Sequence, residues 1–146
     1  MSTLKSIAIK KISRAPMQEL DNAEITIENG IIGDLRGSPQ SDRQITILSE
    51  SGWQKACAEV NTDLPWTRRR ANMLVDGLEF DAGHVGKTLR IGEVSLKITR
   101  ETNPCALMDQ QQQGLKTALT PEWRGGICCK VLTAGSIRIG DRIEID

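Results

Sequence analysis

The chain is poor in aromatic residues: among 146 positions there are one Phe, three Trp and no Tyr. Single-stranded nucleic acid is held on stacked rings, so their scarcity argues against that ligand. An excess of either charge is lacking as well. Nineteen Lys and Arg face nineteen Asp and Glu, which removes the global field that draws a protein onto nucleic acid or an anionic membrane and leaves only local anion binding. No apolar run approaches the length of a membrane span, and the N-terminal segment MSTLKSIAIKKI has no signal-type apolar region. The expectation is a soluble, cytoplasmic protein, without nucleic-acid or membrane partners, folded as a single domain over residues 1–146.

Histidine is nearly absent too. His84, in the turn-like DAGHVG, is the only one, which excludes a multi-histidine metal site. A Ser-His-Asp or Cys-His catalyst would have to use it, yet nothing around it marks a base. It reads as an exposed turn residue. Neither a phosphate loop of the form GxxxxGK[ST] nor a dinucleotide fingerprint is present. The four cysteines, Cys57, Cys105, Cys128 and Cys129, show no CxxC spacing and no secretory context, so they are expected to be thiols.

What the sequence does contain is short runs rich in Ile, Val and Leu separated by Gly, Asp and Asn: SIAIKKI, AEITIENGIIGD, RQITIL, ANMLVDGL, KTLRIGEVSLKI and SIRIGDRIEI. Such runs predict a mainly β fold of mostly antiparallel strands. The near repeat LRIGE (Leu89–Glu93) and IRIGD (Ile137–Asp141) reads as two hairpins, and with no long helices between strands a closed β-barrel is expected rather than a βαβ sheet. One helix is expected where Trp53, Ala56, Cys57 and Val60 share a face, with Ser51 and Gln54 as a capping box. A shorter one is expected from Gly114 to Leu119, stopped by Pro121, and DQQQQG before it reads as a solvated loop or a frayed first turn.

Among groups that carry chemistry, Cys57 lies on the apolar helix face and reads as core. Cys128 and Cys129 sit in a strand-like run, so their side chains should point to opposite faces, one into the core. Cys105 differs. In TNPCALM (Thr102–Met108) it follows Pro104, which removes a donor and ends the strand. On these residues alone it reads equally as a buried small hydrophobe and as a sulfur presented at a strand end. Basic residues recur in LPWTRRRAN (Leu64–Asn72), WRGG (Trp123–Gly126) and DLRG (Asp34–Gly37). The guanidinium fork suits phosphate and polar heterocycles, and glycine N–H groups can close an anion pocket. Three consecutive arginines cannot all face one pocket, and a solvated turn is the alternative reading.

Taken in order, GIIGDLR (Gly30–Arg36), DRQITIL (Asp42–Leu48), RRANMLV (Arg69–Val75), VGKTLRIGEVSLKIT (Val85–Thr99), NPC (Asn103–Cys105), WRGGI (Trp123–Ile127) and GSIRIGDRI (Gly135–Ile143) resemble a MOSC domain. The resemblance runs from about Ile25 to the end. It implies a closed mostly β barrel and a molybdenum cofactor (molybdopterin) as ligand. Cys105 matches the signature cysteine, a molybdenum ligand in the reductase members and a proposed sulfur carrier in others. A thiolate is the form that binds metal or sulfane sulfur. Arg70 and Asn72 match the R-x-N element expected at the pterin or its phosphate. Asp34, Arg36, Arg43 and Arg124 match pocket-lining positions, and Thr102 and Asn103 precede the ligand cysteine. Arg68 and Arg69 read as surface charge. The segment after Gly33-Asp34 lacks a histidine frequent there in relatives.

The electron-supplying and sulfur-supplying domains found beside MOSC domains elsewhere are not represented in the sequence, so an external reductase or a sulfur donor protein is the expected partner. Three readings follow: a small molybdoenzyme reducing N-hydroxylated or N-oxide compounds, a non-catalytic carrier of sulfur or cofactor on Cys105, and a metal-free scaffold.

Overall fold

A computed structural model describes residues 1–146. Its strands follow period-2 burial. In β5 (Ile45–Ser49), Ile45 and Ile47 enter the main core while Leu48 joins a second apolar cluster on the opposite face. β6 (Met73–Asp76) repeats this, with Met73 and Val75 inside and Leu74 outside. The chain continues the same logic through β1 (Thr3–Ile9), β2 (Gln18–Leu20), β7 (Thr88–Ile91), β8 (Val94–Glu101), β9 (Ile127–Thr133) and β11 (Ile143–Ile145). These strands form one eight-stranded sheet in the order β11-β7-β8-β9-β5-β6-β1-β2. A second sheet of three strands, β10 (Gly135–Arg138), β3 (Asn22–Thr26) and β4 (Gly30–Ile31), contributes Ile25, Ile31 and Ile137 to the main core. Each fully buried aliphatic side chain there contributes roughly 1.5–3 kcal/mol relative to exposure.

The fold is mainly β, but the expected barrel closed by a continuous ladder is not what forms. β1 reaches the far end of the sheet only through an isolated bridge between Thr3 and Arg142. Beside it are Leu4 N–H to Asp141 O (2.9 Å), Gly140 N–H to Leu4 O (2.8 Å) and Ile143 N–H to Ser2 O (2.9 Å). The reason is that β1 divides its free edge: Ile7–Ile9 is taken by β2, so only Thr3 and Leu4 remain for the C-terminal segment. The large sheet is therefore open, with its two ends tied by one short contact.

One pair departs from the antiparallel pattern. β5 and β6 run parallel, joined by α1 (Glu50–Glu59), because parallel neighbours need a crossover. Gly52, Trp53, Ala56 and Cys57 form the buried face of α1. Its N-cap is Ser49, which accepts from Gly52 N, and not the expected Ser51. α3 (Leu115–Leu119) packs on α1, and a further short helix, α2 (Leu107–Gln111), replaces the first half of the expected glutamine-rich loop. Together these helices cover Leu48, Leu74 and Ala8 on the outer face of the sheet. No helix is long and apolar enough to cross a membrane.

Candidate functional site

The outer face changes character one step along the strands. Beside the covered row of Leu48 and Leu74 lies a row running from Ala8 through Asn72 and Thr46 to Cys128, set by the β5–β6 and β5–β9 registers and by Ala8 N–H to Asn72 O (2.7 Å). Asn72 is 6% exposed and knits three strands together. Its Oδ1 accepts from Thr46 N (3.0 Å), its Nδ2 donates to Ala8 O (3.2 Å), and its backbone N–H donates to Thr46 O (2.9 Å). This R-x-N asparagine builds the polar floor chiefly by satisfying backbone groups that would otherwise be buried unpaired.

Over the floor lies a narrow cleft lined by Lys10, Met17, Asp34, Leu35, Arg36, Arg43, Thr46, Arg70 and Asn72. The GDLR loop is pinned to the end of β1: Asp34 Oδ1 accepts from Lys10 N (3.0 Å), its Oδ2 accepts from Arg36 N (3.3 Å), and Leu35 N donates to Lys10 O (2.8 Å). Arg70 enters because the 3₁₀ turn Trp66–Arg69 ends there with φ 62°, a left-handed backbone that separates its direction from that of Arg69. Four cations thus line the cleft with one carboxylate among them. Their crowding shows in the titration of two: Lys10 is lowered by burial and then by Arg70 and Arg36, and Arg36 is lowered by burial, Arg70 and Arg43, with Asp34 opposing. The Nε atoms of Arg43 and Arg70 are buried without an acceptor. Buried donors are normally satisfied; Arg124 Nε is left unpaired in the same way outside the cleft, whereas the two within it sit among four cations where an anionic acceptor would fit.

Cys105 lies outside the residues that line this cleft, on an exposed loop after β8. The loop is anchored at its first residue. Thr102, 4% exposed, donates its N–H to Gly126 O (2.8 Å), and its Oγ1 lies 3.1 Å from Cys128 Sγ. The WRGG segment permits this approach: a Cβ on Gly125 would lie 2.3 Å from Thr102 O and 3.3 Å from Pro104 Cδ. Between loop and cleft sits Arg69, 6% exposed, donating to Thr102 O and Gly125 O. Burial, followed by the charge of Arg43, lowers it to about 10, with Cys105 and Cys128 opposing.

The cleft therefore brings together Asp34, Arg36, Arg43, Arg70 and Asn72, with Thr102 and Cys105 on the adjoining loop and Asn103 exposed between them. Arg124 is not among them. Its Nη1 pairs with Glu59 and donates to Ala118 O (3.1 Å), and its Nη2 meets Glu122 (3.2 Å), which holds it against the helical layer. Arg69 corrects the expectation of a surface charge, whereas Arg68 is exposed and meets Gln111. Lys10 and Cys128 are additions. Strand alternation signals both faintly, since Lys10 falls in phase with Ala8, and Cys128 opposite the core residue Cys129. Cys129 itself is fully buried, and its thiol is pushed well up by desolvation and then by Cys128.

The donor set agrees with a metal brought in on an organic anion. No group of three or more His, Cys, Asp or Glu side chains gathers to hold a bare ion, while one accessible thiol and a cationic cleft suit a ligand with a phosphate at one end and a thiophilic metal at the other.

The MOSC domain model matches residues 31–144 of the chain. Among solved structures, the YuaD protein from Bacillus subtilis has a TM-score of 0.79 at 20% identity, covering 99% of this chain and 96% of that one. YiiM from Geobacillus stearothermophilus gives 0.78 at 16% identity, over 100% of this chain and 75% of that one. YiiM from Escherichia coli gives 0.73 at 15%, over 99% and 69%. No curated protein matches the sequence. The structures share the fold, the family model covers most of the chain, and the protein belongs to the MOSC domain family, which is associated with molybdenum cofactor binding.

Proposed function

We propose that the protein, as one cytoplasmic MOSC domain over residues 1–146, binds the molybdenum cofactor and acts as a small molybdoenzyme reducing N-hydroxylated or N-oxide compounds with electrons from a separate reductase. The observation that carries this reading is the cleft of Lys10, Arg36, Arg43 and Arg70, with two guanidinium Nε atoms buried without acceptors. These four cations would hold the phosphate end of the pterin. Asp34 acts indirectly, since both its oxygens already fix the loop that carries Arg36. Asn72 and Thr46 keep the floor flat and polar, and Asn103 offers an exposed amide next to the cysteine. Cys105 would be the protein's thiolate donor to the metal. When bound, the group supplies two-electron oxygen-atom chemistry, and the chain's own residues bind it, orient it and neutralise its charge. Arg124, engaged with Glu59 and Glu122, supports the WRGG segment from behind.

A carrier role for sulfur or cofactor has one specific support, the exposure of Cys105. A thiol open to solvent can meet a donor protein as readily as a substrate.

Expression in a host that makes the cofactor, followed by molybdenum analysis and fluorescence of the oxidised pterin, tests the binding. Wild type is expected to carry both, and Cys105→Ser to lose molybdenum. Absence of metal and pterin from wild type, under conditions that load another MOSC protein, refutes the reading. A loaded protein that fails to oxidise a reduced dye with hydroxylamines or N-oxides is a carrier.

A further inference from the structure

Arg69 has no place in the cleft lining and none in the roles assigned above. Its guanidinium meets neutral acceptors only: Gly125 O from Nε (3.2 Å) and Nη2 (3.0 Å), Thr102 O from Nη2 (2.9 Å), and Met108 Sδ from Nη1 (3.8 Å). No carboxylate pairs with it, although it is only 6% exposed and the arginines that do form ion pairs, Arg90, Arg100 and Arg124, are all more exposed. Taking an ion out of water without a counter-ion is strongly unfavourable, and an apolar side chain of similar length would fill the volume without that loss. Stability alone does not account for an arginine at this position.

Its contacts say what it does. Thr102 opens the loop that ends at Cys105, and Gly125 belongs to the segment that the loop packs against, so the fork ties one to the other. Its surroundings say what it lacks. Of the ionisable groups that act on it, Arg43 repels it, while Cys105 and Cys128 attract it in their anionic forms.

We propose that Arg69 is the positioning residue of the Cys105 loop, its fork fixing Thr102 against Gly125 and its unpaired charge neutralised by an anionic group bound beside Cys105. The identity of that group rests on the cofactor reading; the anchoring of the loop does not.

The test uses the full chain with Arg69→Met, which keeps the apolar volume, and Arg69→Lys, which keeps the charge without the fork. Each is first shown to be folded by circular dichroism. Cys105 is the only exposed cysteine, so a nitroxide attached to the apo protein reports on that loop. Both variants are expected to show a more mobile label than wild type; an unchanged spectrum in either overturns the anchoring. Cofactor-loaded protein is then assayed for molybdenum per folded chain. Arg69→Met is expected to lose about tenfold, as groups supporting a metal ligand commonly do, and Arg69→Lys to recover most of that loss. Equal loading of Arg69→Met and wild type, or no recovery with lysine, overturns the counter-charge. Wild type without molybdenum defeats the cofactor reading alone. The thermal shift with inorganic phosphate then decides: a shift in wild type that Arg69→Met loses supports the counter-charge, and a shift of equal size in both, or none in wild type, overturns it.

Discussion

Replacing Gly125 by alanine tests whether the site depends on close approach of two backbone segments. Gly125 is not in the left-handed region, so alanine meets no conformational penalty there. The cost is steric. The new Cβ would lie 2.3 Å from Thr102 O, 3.2 Å from Arg69 Nη2 and 3.3 Å from Pro104 Cδ, and the tightest of these is backbone that cannot rotate away. Forcing extra volume into a packed region costs about 1–3 kcal/mol. Displacing Thr102 also weakens its bonds to Gly126 and Arg69, at roughly 1 kcal/mol each. A total near 3–5 kcal/mol corresponds to a fall in melting temperature of about 10–15 °C for a chain of this size. Thermal melts followed by circular dichroism read this directly, with Gly52→Ala as the control. In α1 the added Cβ would come no closer than 3.5 Å to Arg124 Cα, and removing a helical glycine stabilises by roughly 0.5–1 kcal/mol. Gly52→Ala should melt slightly above wild type. A Gly125→Ala protein that melts within about 2 °C of wild type would show that the Cys105 loop can lift freely, and the reasoning would fail.

Other substitutions probe separate parts of the same argument. Asn72→Ala leaves Thr46 N–H and Ala8 O without their side-chain partner, so a loss of about 2–4 kcal/mol is expected in urea unfolding even without ligand. Ser49→Ala removes the acceptor of Gly52 N and the donor to Leu78 O (2.6 Å) and should cost about 1–2 kcal/mol by the same assay. Arg43→Gln should leave stability nearly unchanged and weaken phosphate binding measured by calorimetry, with a smaller dependence on salt. Burial raises the Glu101 carboxyl above its ordinary 4.5. A raised acid contributes stability below the unfolded value and loses it as pH rises through the folded one. Glu101→Gln is therefore expected to raise the melting temperature relative to wild type at pH 7 and to leave it unchanged at pH 4.

Much of the fold was legible because burial in a strand has period two and in a helix about 3.6. ITILS, MLVD and VSLKIT could be assigned without a partner in view, and so could the face of α1 through Trp53, Ala56 and Cys57. The cleft was legible only through the resemblance, which implies Asp34, Arg36, Arg43, Arg70 and Asn72 as pocket residues; it also implies Arg124, which pairs with Glu59 instead, and it does not reach Lys10. Closure of the sheet was not legible. It depends on how much of the β1 edge β2 leaves free, which is a competition between segments far apart in the chain.

The sequence by itself determined which residue types were available: arginines in several turn-like segments, one cysteine behind a proline, and a single histidine, too few for a multi-histidine metal site. Only the tertiary structure decided how they divide. Three adjacent arginines part company because a left-handed residue ends the 3₁₀ turn, sending Arg70 to the cleft, Arg69 to the Cys105 loop and Arg68 to solvent. Arg124 is turned away by Glu59, a residue 65 positions distant. Cys128 faces Thr102 rather than the core because β9 pairs with β5 in the register that sets it opposite Thr46. Local sequence limits what a side chain can be. Where it points depends on backbone turns and strand registers that long-range packing selects.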